Sequence, residues 1–154
     1  MSAALRRRFR YHAWATAQLV DAVRAEPLPA ALRPLAHALT AGRVWLLRLA
    51  GEPTDAVALW PALDADGIAA LARRNAEAWD ALAADAHAPG GSVAYTNSRG
   101  EAFETDRGDI MEHVLLHAAY HRGQTAAALR AAGIAPPSTD FVLWLRLGEP
   151  DASL

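Results

Sequence analysis

The chain contains no cysteine and no lysine. Lacking a thiol, it has no Cys nucleophile, no thiolate ligand and no disulfide. A metal site must then be built from imidazole, carboxylate or water, and sulfur chemistry must bring its sulfur from outside. Lacking lysine, and with a formal charge of −2 at pH 7 and a pI near 6.3, it has no basic stripe to follow a phosphate backbone, so nucleic acid is set aside as a partner. Arg6, Arg7, Arg8 and Arg10 do cluster, but a helix spreads them around its surface, and the expectation is a solvated face. Long apolar runs are missing too: nothing reaches the ~18 residues of a membrane span. The basic start is followed by Tyr11, His12, Thr16 and Gln18, where a secretory signal needs an unbroken apolar core. The expected setting is the cytoplasm, with no membrane partner.

What is present is ordinary globular composition, 53% apolar and 21% charged over 154 residues, read as a single domain spanning 1–154. A chain of this length hides roughly 68–70% of its unfolded surface, so a core needs no disulfide staple. Leu5, Phe9, His12/Ala13, Thr16, Val20 and Val23 recur at helical spacing and predict a first helix, with Ser2 as its cap and an end before Pro27. A second runs from about Ala30 to Ala50 on a Leu32, Leu35, Leu39, Leu46, Leu49 stripe and stops at Gly51. A Pro-punctuated crossover holding Trp60 fills Glu52 to Asp64. Ile68, Leu71, Ala72, Asn75, Trp79, Leu82 and Ala86 form the stripe of a third helix, with Asp66 as cap and Pro89-Gly90-Gly91 as its end.

Val93 to Thr105 alternates with small polar residues around Asn97-Ser98-Arg99-Gly100 and reads as a loop or short hairpin. A fourth helix is expected from about Arg107 to Ala132, closed by Gly133. Ser138-Thr139-Asp140 then caps a short fifth, Phe141 to Leu147. The fold class is therefore all-α: a four-helix bundle with a short C-terminal helix. The five tryptophans, spread over different elements, read as core packing. Asp64, Asp66, Asp106, Asp109 and Asp140 sit at helix starts, where capping explains them.

With cysteine absent, the six histidines are the residues to follow. On the fourth helix Ile110, Val114, His117, His121, Gln124 and Ala128 share one arc about 100° wide, the arc an amphipathic helix buries. Four residues apart, two rings stand one turn from each other with Cβ atoms ~6 Å apart, close enough to chelate one ion. The alternative is a pair of core histidines bonded to carbonyls or water. His37 falls on its helix nearer Arg33 and Arg48 than the leucine stripe, so periodicity makes it a boundary residue. His87, beside the Pro-Gly loop, reads as exposed.

The segment from His113 to Gln124, His-Val-Leu-Leu-His-Ala-Ala-Tyr-His-Arg-Gly-Gln, resembles the signature of the DinB-like family of metal-dependent enzymes. Tyr11-His-Ala-Trp14-Ala resembles its first-helix Tyr-Asn-x-Trp-Ala element, His37 with Trp45 its second-helix segment, and Ser138-Thr-Asp-Phe-Val-Leu-Trp-Leu145 its closing element. The resemblance covers nearly the whole chain and implies a bundle with one long crossover and metal ligands at His37, His117 and His121. His12 or His113 is the fallback third ligand. His12, where the family more often has asparagine, is read as standing behind the ligands or in the pocket wall, and His113 matches a frequent family histidine that is not usually counted as a ligand but stands close behind them. Gln124 is a candidate for orienting a ligand ring, and an ordinary core amide bond is its alternative. Arg122 projects away from the His117/His121 arc and reads as a salt-bridge residue, across a subunit contact or otherwise. Gly123, on a flank with Leu116, Tyr120 and Ala127, permits close approach of another helix, and the resemblance suggests that such flanks pair in homodimers.

Three imidazoles leave positions open on a divalent ion, zinc by availability, with nickel, iron or manganese also compatible with the side chains. The resemblance implies transfer chemistry with an external low-molecular-weight thiol such as bacillithiol, mycothiol or glutathione, on a small-molecule substrate. Metal-assisted hydrolysis, a non-catalytic metal-binding stress-response or interaction protein, and a metal-free bundle with hydrogen-bonded core histidines are the alternatives.

Overall fold

A computed structural model describes residues 2–97 and 99–154, Ser2 by its backbone alone. The capping role expected of the Ser2 side chain and the Ser98 corner of the turn therefore lie outside the described residues. Helix α1 (Ser2–Ala25) buries Leu5, Phe9, His12, Thr16, Val20 and Val23, the predicted stripe, and stops before Pro27. Helix α2 (Pro29–Leu49) starts on a proline, whose missing N–H costs nothing in a first turn. Gly51 closes it at φ +74: its N–H reaches the Arg48 carbonyl and that of Glu52 reaches Leu47. The same left-handed closure recurs at Gly133.

Helix α3 (Ala65–Ala84) is capped two residues earlier than Asp66 would place it. Asp64, not Asp66, accepts a hydrogen bond from the Gly67 N–H at 2.7 Å, because Asp64 is the residue with extended backbone and Asp66 is already helical. The helix also ends at Ala84, before the Pro89-Gly90-Gly91 stop.

The segment left open between loop and hairpin is an antiparallel hairpin, β1 (Ser92–Thr96) with β2 (Ala102–Asp106), in a register that sets Tyr95 opposite Phe103. Asn97 closes its turn by accepting the N–H groups of Arg99 and Glu101. Strand β2 runs straight into α4 (Arg107–Ala131), where Asp106 accepts the N–H groups of Gly108 and Asp109. Before α5 (Phe141–Arg146), Asp140 makes no capping bond with its side chain; that carboxylate is taken by the Ser138 hydroxyl at 3.1 Å.

Helices α1 to α4 form the bundle, with α2 packed on α4 and α3, and α1 on α3 and α4. One end of the core gathers Leu19, Val23, Leu35, Ile68 and Leu129; the other gathers Phe9, Trp79, Ile110 and Met111. Helix α5 folds Trp144 under Trp14, and its indole N–H donates to the Pro150 carbonyl at 2.9 Å. The clustered arginines at the start of α1 stay at the surface but are paired: Arg6 with Asp80, Arg7 with Glu149, Arg8 with Glu112 and Arg10 with Asp151. Among the described residues no helix is long and apolar enough to cross a membrane.

Candidate metal centre

The packing of α2 on α4 brings His37 against His117 and His121. One nitrogen from each of the three rings lies within 4.8 Å of the other two. The ring centres are 4.5 Å apart for His117 and His121, 4.6 Å for His37 and His121, and 5.2 Å for His37 and His117. His37 is buried, 8% exposed, rather than a boundary residue. A bundle helix touches two neighbours, so its buried arc is wider than its leucine stripe. On α2 the buried residues beyond the leucine stripe include His37, Ala38 and Ala41.

Two of the three rings are oriented from behind. The Leu59 carbonyl, on the crossover, lies 2.7 Å from His37 Nδ1; a carbonyl only accepts, so Nδ1 donates and Nε2 is the nitrogen left available to an ion. Gln124 Oε1, 2.7 Å from His121 Nδ1, does the same for that ring. The Nε2 atoms of His117 and His121 face each other at 3.2 Å. That spacing is close to the ~3.3–3.4 Å edge of a tetrahedron with metal–nitrogen bonds of ~2.0–2.1 Å. Burial, reinforced by the neighbouring rings of His121, His37 and His113, holds His117 down to about 4. His121 is lowered as well, chiefly by burial. Three rings that bring one nitrogen each to a common point are a donor set a divalent cation accepts.

The sequence profile of the DinB family matches residues 2–152. The chain belongs to the DinB family. No curated protein and no solved structure matches it.

Other residues singled out in this DinB chain lie outside the three-nitrogen group. His12 is buried between α1 and α4, where its Nδ1 accepts a hydrogen bond from Arg122 at 2.8 Å; burial and that guanidinium lower it to about 3. His113 is exposed, its ring centre 5.5 Å from that of His117 and edge-on to Trp45. Neither takes the fallback position of third ring. His87 is exposed, as expected.

Three expectations are corrected. Arg122 makes no ion pair among the described residues and is buried, 4% exposed, because the true buried arc of α4 runs through Met111, Val114, Ala118, Arg122, Thr125 and Leu129 as well as His121. Gln124 is correspondingly exposed and reaches back to His121 from the rim, so the core amide bond is ruled out. Trp60 is not core packing: half exposed, it stacks on the His37 ring at 3.7 Å and 5°, with Arg33 over its outer face at 5.1 Å. Sequence reasoning missed both Trp60 and the Leu59 carbonyl as parts of the site. A tryptophan in a proline-rich crossover has no periodicity to place it, and a peptide carbonyl leaves no mark at all. Asp64 and Asp106 cap helices, as expected, and among the described residues no carboxylate joins the three rings.

Proposed function

We propose that this DinB chain is a metal-dependent enzyme that holds one divalent ion through His37, His117 and His121 and joins an external thiol to a small electrophile. The observation that carries the reading is the convergence of three imidazole nitrogens within 4.8 Å, two of them with the opposite ring nitrogen tied to an oxygen acceptor. Three protein ligands leave coordination positions open, which a purely structural site does not do. When bound, such an ion lowers the pKa of a coordinated thiol or water. Zinc is the proposed ion by availability, and nickel and iron suit the same imidazole donors, with manganese also compatible.

The chain's own residues supply the rest. Leu59 and Gln124 hold two rings in the binding tautomer, and Trp60 covers the outer face of His37 and excludes water there. His113, exposed beside His117, is placed to take the proton an incoming thiol gives up. The proposed setting is the cytoplasm, where low-molecular-weight thiols are kept reduced. The proposed assembly is a homodimer through the α4 flank of Leu116, Tyr120, Gly123 and Ala127; the first two are 64% and 65% exposed, and a Cβ built on Gly123 would meet nothing within 4 Å.

The test is elemental analysis of untagged protein prepared without added metal, followed by a thiol panel against small electrophiles. About one equivalent of a divalent metal, lost in His117→Ala and in His37→Ala, with thiol-dependent turnover, is the expected result. A bound ion without turnover by thiol or water would make the protein a metal-binding stress-response or interaction factor. Turnover of esters or amides without thiol would make it a hydrolase. No metal at all would remove the reading.

A further inference from the structure

Arg122 follows His121 in sequence but leaves α4 on another side, toward α1, and is buried. One guanidinium nitrogen lies 2.8 Å from His12 Nδ1. A guanidinium only donates, so that ring nitrogen is an acceptor, and His12 supplies a lone pair but no negative charge. Tyr11 adds its ring, 5.7 Å from Cζ, and a polar contact from its hydroxyl, but no carboxylate. Among the described residues no carboxylate lies within salt-bridge distance of Arg122, and Glu112, on the same groove, is already paired with Arg8. Arginine cannot escape by losing its proton, and a buried cation without an anion is a costly thing to keep.

Beside this cation is a groove of about 230 Å³ between α1, α4 and α5. Tyr11, Leu115, Leu116, Ala119 and Phe141 wall it, and Arg122 lies in its floor. We propose that the groove binds a small apolar monocarboxylate, with the carboxylate against Arg122 and the hydrocarbon part against Leu115, Ala119 and Phe141. The planar fork of a guanidinium matches the two oxygens of a carboxylate. One buried positive charge calls for one negative charge; a dianionic phosphate would leave a surplus charge among apolar walls. The inference does not rest on the metal reading, because its residues face α1 and α5 rather than α2.

The test is calorimetric titration of the full chain with benzoate and hexanoate, each matched by its uncharged alcohol. The expected result is at least tenfold tighter binding of the acids. Arg122→Gln should bring the acids down to the level of the alcohols, and Ala119→Trp, at an exposed position, should fill the groove and abolish binding while leaving the circular dichroism spectrum and melting point unchanged. His117→Ala, which removes a metal ligand, should bind the acids as the parent does; loss of binding in that variant would place them on the metal and overturn the proposal. Equal binding of acid and alcohol, no binding of either at tens of millimolar, or acid binding that survives Ala119→Trp would also overturn it. So would binding that appears only as a dimer dissociates on sedimentation, since the groove's occupant would then be a second copy of the chain.

Discussion

At the residue scale, two kinds of buried side chain do different work. Trp79 is 1% exposed and stacked on Phe9 at 4.8 Å and 9°, with α2 pressed close at Gly42. Replacing it by alanine should cost about 3–5 kcal/mol, read as a fall in the urea midpoint at unchanged slope. Trp60 is half exposed and should behave in the opposite way. Trp60→Ala should change stability by about 0.5 kcal/mol or less, as surface changes do, yet weaken metal binding several-fold, measured by competition with a chromogenic chelator. Its stacked ring holds His37 in place rather than filling a core.

At the element scale, helix ends separate residues that look alike in sequence. Asp106 accepts two backbone N–H groups at the start of α4, whereas Asp140, also at an N-cap position, accepts none. Asp106→Ala should cost about 1 kcal/mol and Asp140→Ala a few tenths, both by chemical denaturation. The hairpin matters here as well. By running β2 directly into α4, it sets where α4 begins, and Arg107 reinforces that start by donating to the carbonyls of Ala88 and Leu49. The register of His117 and His121 against His37 depends on that anchoring.

At the scale of the whole molecule, stability should fall with acid. His12 is lowered to about 3 in the folded chain, against ~6.5 for a histidine in the unfolded one. Between those values the unfolded chain binds the proton and the folded one does not. His12 therefore contributes stability that is fully present above about pH 6.5 and is lost as pH falls toward about 3. His12→Asn should reduce the drop in urea midpoint between pH 7.5 and pH 5, measured on chelator-treated protein. An unchanged drop would mean that the ring is already charged or exposed in the native state.

Helix positions, the turn glycines Gly51 and Gly133 and the pairing of His117 with His121 were all open to reading along the chain, because each depends on neighbours within a turn or two. The amphipathic period is a local quantity, and so is the chelating spacing of two rings on one helix. Periodicity alone left His37 at a boundary, and only resemblance to a family motif pointed to it. Which helix packs on which is decided by the tertiary fold: setting α2 on α4 buries His37 beside the other two rings, and setting α1 on α4 buries Arg122 against His12. The crossover that lays the Leu59 carbonyl and Trp60 over the site has no period of its own. Its course follows from the helices it must join, and that information exists only once the chain has folded.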